Sequence, residues 1–198
     1  MEIKAAVLYR QNAKIRIANV DLSEPKNNEL LVKISACGVC HTDAVQLHAS
    51  EYFPVVLGHE ASGIVEDVGD DVTDFQIGDH VALSYPSCGK CEACKDGRPY
   101  DCKNFHDLFR GLRLDGTSPL SGGGKKVAAF FGQGGFATHS VCSVRNAVKV
   151  DPNLDLHMLA PLGCGVQTGA ASVLCYLKPK VGESIAIFGT GSVGLSAV

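Results

Sequence analysis

The sequence contains no long apolar run and no export signal, and these absences exclude two classes of protein. A membrane-spanning helix needs about 18 or more consecutive apolar residues, and no such run occurs in the 198 residues. The N-terminal residues also lack the basic and then apolar pattern of a secretory signal peptide. We therefore expect a soluble, cytoplasmic protein that has no membrane partner.

Charge of one sign is also scarce. The formal net charge is only −3, so the overall charge does not favour binding to nucleic acid or to an anionic membrane. Lys125 and Lys126, which follow three glycines, are interpreted as part of a solvated loop. Hydrophobic residues make up 45% of the chain and charged residues 20%, which predicts a packed core rather than disorder.

Cysteine is abundant, but its spacing is not that of a disulfide framework. The count of 9 is odd, and several cysteines lie in Cys-x-x-Cys repeats. Together with the missing export signal, this pattern favours a reducing compartment and metal sites.

Short strands separated by Gly and Asp turns dominate the N-terminal part of the chain. Many short strands of this kind indicate a small, partly closed β-barrel. A short helix, capped by Thr42 or Asp43, is expected to run to about His48. The predicted strands are Ile3–Tyr9, Lys14–Val20, Glu29–Cys37, Ala61–Val68 and Ile77–Leu83, with at least one more between Gly135 and Val150.

The C-terminal part has a different pattern. Leu154–Leu177 is helix-like, with interruptions near Pro161 and Gly163–Gly165. An apolar run, Ser184–Phe188, predicts a strand, and a Gly-rich turn and a helix follow it. We therefore expect a mixed α/β chain with a catalytic domain over residues 1–165. The first βα unit of a second, C-terminally truncated domain would occupy residues 166–198.

A four-cysteine cluster is the first chemical signal. Four thiolates within fifteen residues can form a closed tetrahedral sulfur site of the kind that holds structural zinc. An iron–sulfur cluster or disulfides are the alternatives. A ferredoxin-type run has a last gap of three residues followed by Cys-Pro, whereas here the last gap is seven residues and Lys103 follows Cys102. The surrounding segment, residues 88–102, is polar, so metal binding would fold it. The cluster reads Cys88-x₂-Cys91-x₂-Cys94-x₇-Cys102.

Three separated residues give the second signal. Cys40, His59 and Cys164 each have a glycine within two residues, and two thiolates with one imidazole would leave a catalytic zinc one open position. Asp43 and Glu60 would then not bind the metal but would orient its ligands through hydrogen bonds. Each of the three could instead be an ordinary buried residue, and each acid a surface group. The shared pattern favours the ligand interpretation.

The third signal is Gly189-x-Gly191-x-x-Gly194, which lies between a predicted strand and a predicted helix. In that context the motif indicates a dinucleotide whose pyrophosphate sits at a helix N-terminus. The acidic residue that would bind the ribose is expected about twenty positions further on. That position lies outside the 198 residues, and we expect NAD as the cofactor, with NADP as the alternative.

Taken together, these motifs resemble the zinc-containing medium-chain alcohol dehydrogenases over essentially the whole chain. The resemblance implies a GroES-like catalytic domain, the start of a Rossmann domain, and NAD(P)-dependent oxidation of an alcohol. It also implies a homo-oligomer for the full-length protein. The residues that carry it are Gly38–Asp43, Gly58–Glu60, the four cysteines, Gly163–Gly165 and Gly189–Gly194.

The resemblance also implies residue roles. Thr42 would take the proton of the substrate alcohol, and His41 would face the cofactor pyrophosphate. Relatives carry a relay histidine three residues after the threonine, where this chain has Val45. Protons would then leave through water or another base, for which His48 is a weak candidate.

Several segments resemble the aryl-alcohol branch of the family. That branch implies a primary aryl or benzylic alcohol and an apolar, aromatic pocket. Aliphatic alcohols, glutathione-linked formaldehyde and polyols are alternatives, as is a zinc-binding fragment without turnover. The segments are Gly111–Thr117, Phe130–Gln133, Phe136–His139 and Pro161–Gly169. Phe105, Phe130 and Phe131 fit either the pocket or the core.

Overall fold

The computed structural model describes all 198 residues. Its strands are β1 (Glu2–Leu8), β2 (Arg16–Leu22), β3 (Glu29–Gly38), β4 (Val55–Val56), β5 (Glu60–Val68), β6 (His80–Leu83), β7 (Leu120–Gly122), β8 (Lys125–Ala129), β9 (His139–Ser143) and β10 (Ala147–Lys149). Its α-helices are α1 (His41–Ala49), α2 (Glu92–Lys95), α3 (Phe105–Phe109), α4 (Leu156–Leu159), α5 (Gly165–Ala171) and α6 (Ser192–Ser196). A π-helical segment, Ser172–Leu177, continues α5.

Five strands close into a barrel in the order β1-β2-β7-β8-β4. Alternate residues point inward, as strand geometry requires, so Val7, Val20, Leu120 and Val127 pack together with at most 3% of their surface exposed. The expected β-barrel is confirmed, and closure leaves this sheet without free edges.

The other five strands form an antiparallel sheet in the order β10-β6-β5-β3-β9. Its buried side chains, among them Leu30, Val32 and Val65, form a second core. Within this sheet, Gly38 at the end of β3 pairs with Glu60 at the start of β5. This pairing sets the loop after β3 beside the residue that precedes β5.

Two predictions about the strands differ from the structure. The second strand begins at Arg16 rather than Lys14, because its buried residues are Val20 and Leu22 while Ile17 is 73% exposed. The segment with Lys125 and Lys126 is strand β8 rather than loop. Gly123 and Gly124 turn the β7–β8 hairpin with φ of 56° and 74°, values that favour glycine.

The cap of α1 also differs from the prediction. Cys40, rather than Thr42 or Asp43, is the N-cap residue, and its backbone N–H donates to the carboxylate of Asp43 at the third helical position. A carboxylate in the first turn is favourable because the N–H groups there lack helical partners.

The predicted strand Ser184–Phe188 is absent. The segment has no regular secondary structure and pairs with no strand, and a strand requires a neighbour for its backbone hydrogen bonds. Phe188 is consequently 96% exposed. The helix expected after the Gly-rich turn is present as α6.

No single helix is long and apolar enough to cross a membrane. One bent pair of helices, Leu156–Gly163 and Gly165–Leu177, would be long and apolar enough, judged by length and composition only.

The close approach of β5 to β3 gives a stability prediction. A Cβ at Gly63 would lie 2.1 Å from the carbonyl oxygen of Lys33, whereas one at Gly122 would meet its neighbours at 3.6 Å. We expect Gly63→Ala to lower the free energy of unfolding by about 1–3 kcal/mol through overpacking. Gly122→Ala serves as the matched control and should change it by less than about 0.5 kcal/mol. Equal midpoints in urea denaturation for the two variants would contradict this reading.

Candidate metal centres and cofactor cleft

The sheet brings the three predicted ligands together. Cys40 lies two residues after Gly38 and His59 one residue before Glu60, so the β3–β5 pairing places both at one end of the sheet. Cys164 follows a 3₁₀ turn, Ala160–Gly163, that packs on the same sheet.

The spacing of the donor atoms fits a zinc ion. Cys40 Sγ and Cys164 Sγ are 3.9 Å apart, and Cys164 Sγ is 3.4 Å from His59 Nε2. Tetrahedral zinc with ordinary bond lengths separates two sulfurs by about 3.8 Å and a sulfur from a nitrogen by about 3.6 Å. The residues therefore fit the metal that the sequence predicts.

Asp43 fixes the orientation of the imidazole. This carboxylate is only 3% exposed, and its Oδ1 lies 3.1 Å from His59 Nδ1 and accepts the backbone N–H of Gly58 at 2.9 Å. Because a carboxylate accepts the proton on Nδ1, the lone pair of Nε2 is directed toward the thiols. The predicted role of one acid behind the histidine is thus matched by Asp43.

Glu60 occupies a different position. It is 6% exposed, and its Oε1 accepts the backbone N–H of Gly165 at 3.2 Å rather than an imidazole N–H. A Cβ at Gly38 would lie 2.3 Å from Glu60 Oε2. Gly38 therefore leaves the space in which this carboxylate reaches the Cys164 loop.

The two thiols differ in acidity. Burial raises the pKa of Cys40, but the backbone N–H and hydroxyl of Thr42, with His59, lower it below its ordinary value. Burial also raises the pKa of Cys164, and the negative charges of Cys40 and Glu60 raise it further. Hydrogen-bond donors next to Cys40 thus favour its thiolate form.

The four-cysteine segment also forms a compact donor set. All four sulfurs lie within 4.8 Å of one another, with Cys88 Sγ and Cys94 Sγ 4.0 Å apart and Cys91 Sγ and Cys102 Sγ 4.0 Å apart. Burial raises the pKa of Cys88, but hydrogen bonds, led by the N–H of Lys90, lower it to about 6. This arrangement fits a closed tetrahedral zinc site.

The predicted cofactor residues line one cleft. His41 is exposed, and it lines, with Gly189, Gly191 and Gly194, a cleft of about 520 Å³ that Cys40 also borders. The cleft therefore joins the three-ligand centre directly. A Cβ at Gly194 would lie 2.0 Å from the carbonyl oxygen of Gly189, while one at Gly191 would meet no protein atom within 4 Å.

The residues considered for proton transfer are spread along α1. Thr42 is half-buried beside Cys40. Val45, one turn further, is 43% exposed. His48 lies near the helix end, where its Nδ1 contacts Asn12 Oδ1 at 2.5 Å. Because His48 is six residues from Thr42, the two side chains do not share a helix face.

Aromatic rings surround one side of His59. Its ring centroid lies 4.9 Å from that of Phe131 and 5.5 Å from that of Phe130, and Phe105 and Phe109 extend the cluster. Phe130 is 2% exposed and belongs to the core, whereas Phe131 is half-buried. The core interpretation therefore holds for Phe130, whereas the ring of Phe131 is partly accessible beside His59.

Sequence reasoning missed two polar side chains behind these rings. Gln133 and Asn146 are each 1% exposed and hydrogen-bond to the backbone of Ser84. Gln133 ends the segment Phe130–Gln133 noted above, but nothing in the sequence indicates these hydrogen bonds, because they depend on which carbonyl groups the fold brings to the two side chains.

Comparison with known proteins places this geometry in context. The alcohol dehydrogenase GroES-like domain matches residues 26–152. A geraniol dehydrogenase from Castellaniella defragrans is 47% identical over 199 residues, covering 98% of this chain and 53% of the relative. An alcohol dehydrogenase class-3 from Drosophila melanogaster is 39% identical over 198 residues, covering 98% of this chain and 52% of the relative.

A solved structure agrees with this placement. The benzyl alcohol dehydrogenase from Acinetobacter calcoaceticus superposes with a TM-score of 0.93 at 40% identity, covering 100% of this chain and 54% of that one. The chain thus spans about half the length of the curated relatives it matches.

The two donor sets give a direct prediction. The chain should bind two zinc ions, and Cys40→Ala and Cys88→Ala should each lower the metal content to one, because loss of one thiolate opens its site. Mass spectrometry of metal per chain measures this. Cys175→Ala, which alters an exposed cysteine outside both sets, is the matched control and should keep both ions. A single zinc in the parent chain would contradict the three-ligand centre.

Proposed function

The chain belongs to the zinc-containing medium-chain alcohol dehydrogenase family, and we propose that it forms the zinc-binding half of an NAD(P)-dependent dehydrogenase. The proposed reaction oxidises a primary aryl or benzylic alcohol to the aldehyde. The observation that carries it is the shared cleft: Cys40 and Glu60 border the same space as the Gly-rich turn. An alcohol at the metal and a dinucleotide at the turn would therefore meet.

Cys40, His59 and Cys164 would hold the catalytic zinc, and the four cysteines of residues 88–102 the structural one. A bound catalytic zinc supplies Lewis acidity that lowers the pKa of an alcohol hydroxyl. Asp43 keeps the imidazole in the orientation that presents Nε2. Glu60 keeps the Cys164 loop in place through the N–H of Gly165.

Thr42 Oγ1 would accept the proton of the alcohol. Its support is its position in the first turn of α1 beside Cys40. Val45 cannot carry a proton and His48 contacts Asn12 instead, so we propose that the proton passes from Thr42 to water.

The cofactor would lie along residues 166–198, with its pyrophosphate between His41 and the three glycines. Gly191 leaves room for the close approach of a phosphate, since no protein atom lies within 4 Å of its Cβ position. A bound nicotinamide would supply the hydride acceptor that oxidation of an alcohol requires.

The aryl substrate class rests on two observations. The half-buried ring of Phe131 lies 4.9 Å from the ring of His59, where it would give the substrate an apolar wall. The named substrates of two relatives are geraniol and benzyl alcohol. Both are primary alcohols with an unsaturated carbon next to the carbinol. The second candidate is glutathione-linked formaldehyde oxidation, which the S-(hydroxymethyl)glutathione dehydrogenase relatives favour.

A chimera tests the substrate class. In it, these 198 residues replace the matching stretch of the Castellaniella geraniol dehydrogenase. We expect kcat/KM for benzyl alcohol to equal or exceed that for propan-1-ol, because the planar ring packs against the aromatic wall. The chimera with Cys40→Ala is the control and should be inactive. Higher kcat/KM for propan-1-ol or for S-(hydroxymethyl)glutathione would refute the aryl assignment.

The 198 residues by themselves should show no alcohol-dependent NADH formation. The segment Ser184–Phe188 has no partner strand here, so no sheet supports a nicotinamide beside the metal centre. The test is absorbance at the NADH band with zinc-loaded chain, benzyl alcohol and NAD. Measurable turnover that disappears in Cys40→Ala would prove this expectation wrong.

A further inference from the structure

Phe131 has a backbone conformation that its side chain does not favour. Its φ and ψ are 62° and 19°, the left-handed region that residues with a Cβ rarely adopt. Such strain persists only where surrounding contacts enforce it, and it concentrates at functional sites. Because the Phe131 ring lies 4.9 Å from the ring of His59, whatever enforces this turn also positions a predicted ligand.

Asn146 makes the contact that enforces the turn. Its side-chain Nδ2 donates to the carbonyl oxygen of Phe131 at 3.2 Å and to that of Ser84 at 3.1 Å. Both partners are acceptors only, so the amide must present its NH₂ group to them. Gly132 permits this approach, since a Cβ there would lie 3.3 Å from Asn146 Nδ2.

The same side chain reaches toward the Cys164 loop through Ser84. Asn146 Nδ2 donates to the carbonyl oxygen of Ser84 at 3.1 Å, and Ser84 Oγ donates to the carbonyl oxygen of Gly163 at 3.2 Å. Gly163 directly precedes Cys164. The buried side-chain amide of Asn146 is therefore linked by hydrogen bonds to the turn beside His59 and, through Ser84, to the residue before Cys164.

We propose that Asn146 is a positioning residue for the three-ligand centre, acting on His59 through the turn at Phe131 and on Cys164 through Ser84. This proposal rests on the proposed zinc site for its effect on metal affinity. Its effect on the His59 ring does not depend on metal.

Asn146→Asp removes the NH₂ donor at nearly constant shape. We expect zinc affinity at the three-ligand centre to fall by about tenfold or more, as is usual when a group behind a metal ligand is lost, while the four-cysteine site keeps its affinity. Competition with a chromophoric chelator measures both constants, and Cys40→Ala identifies which constant belongs to which site. Asn146→Ser, which also lacks the amide, is the second variant should Asn146→Asp not fold.

A double-mutant cycle with Phe131→Leu separates positioning from general destabilisation. If Asn146 acts on His59 through Phe131, part of the loss caused by Asn146→Asp should vanish in the Phe131→Leu background. Because the two rings lie 4.9 Å apart, the ring current of Phe131 should shift the ring protons of His59 in the NMR spectrum of the metal-free chain. That shift should change in Asn146→Asp and stay constant in Val127→Ala, a barrel-core control that lowers stability elsewhere.

The outcomes distinguish the two proposals. A parent chain that binds one zinc, but whose His59 shift responds to Asn146→Asp, would defeat the proposed function and support the positioning role. Two zinc ions in the parent, with affinity and His59 shift unchanged in Asn146→Asp, would overturn the positioning role alone. An equal loss of affinity in Val127→Ala would also overturn it.

Discussion

The candidate site depends on one strand pairing. The end of β3 and the start of β5 are joined at Gly38 and Glu60, and the register of this pair decides whether Cys40 and His59 meet. A slip by one residue would turn each side chain to the opposite face of the sheet. The buried side chains of both strands, including Leu30, Val32 and Val65, oppose such a slip. Hydrophobic burial in the sheet therefore fixes the geometry of a polar site at its end.

Small residues allow the supporting groups to approach the ligands. Gly38 leaves space for Glu60, and a Cβ at Gly163 would lie 1.7 Å from the carbonyl oxygen of Leu83. Gly165 presents its N–H to Glu60 at 3.2 Å. The glycines that flank the ligands in the sequence are thus explained by packing as well as by turn formation. Asp43 completes the arrangement because it holds both the N-cap of α1 and the imidazole of His59.

The sequence was sufficient for the barrel, for most strands and for the two groups of sulfur and nitrogen donors, because period-two patterns and cysteine spacing are local signals. It was insufficient where the outcome depends on a distant partner. Ser184–Phe188 has the composition of a strand but no neighbour, and Asp43 rather than Glu60 reaches the imidazole because of the loop geometry. Asn146 had no signal at all, since its function depends on the carbonyl groups of Phe131 and Ser84.

The central claim is that Cys40, His59 and Cys164 bind one zinc ion with a position left open. X-ray absorption at the zinc edge of the metal-loaded Cys88→Ala variant tests it most directly, because that variant keeps only the three-ligand donor set intact. The account predicts two sulfur neighbours at about 2.3 Å together with nitrogen or oxygen neighbours at about 2.0–2.1 Å. Four sulfur neighbours, or a variant that holds no zinc, would contradict it.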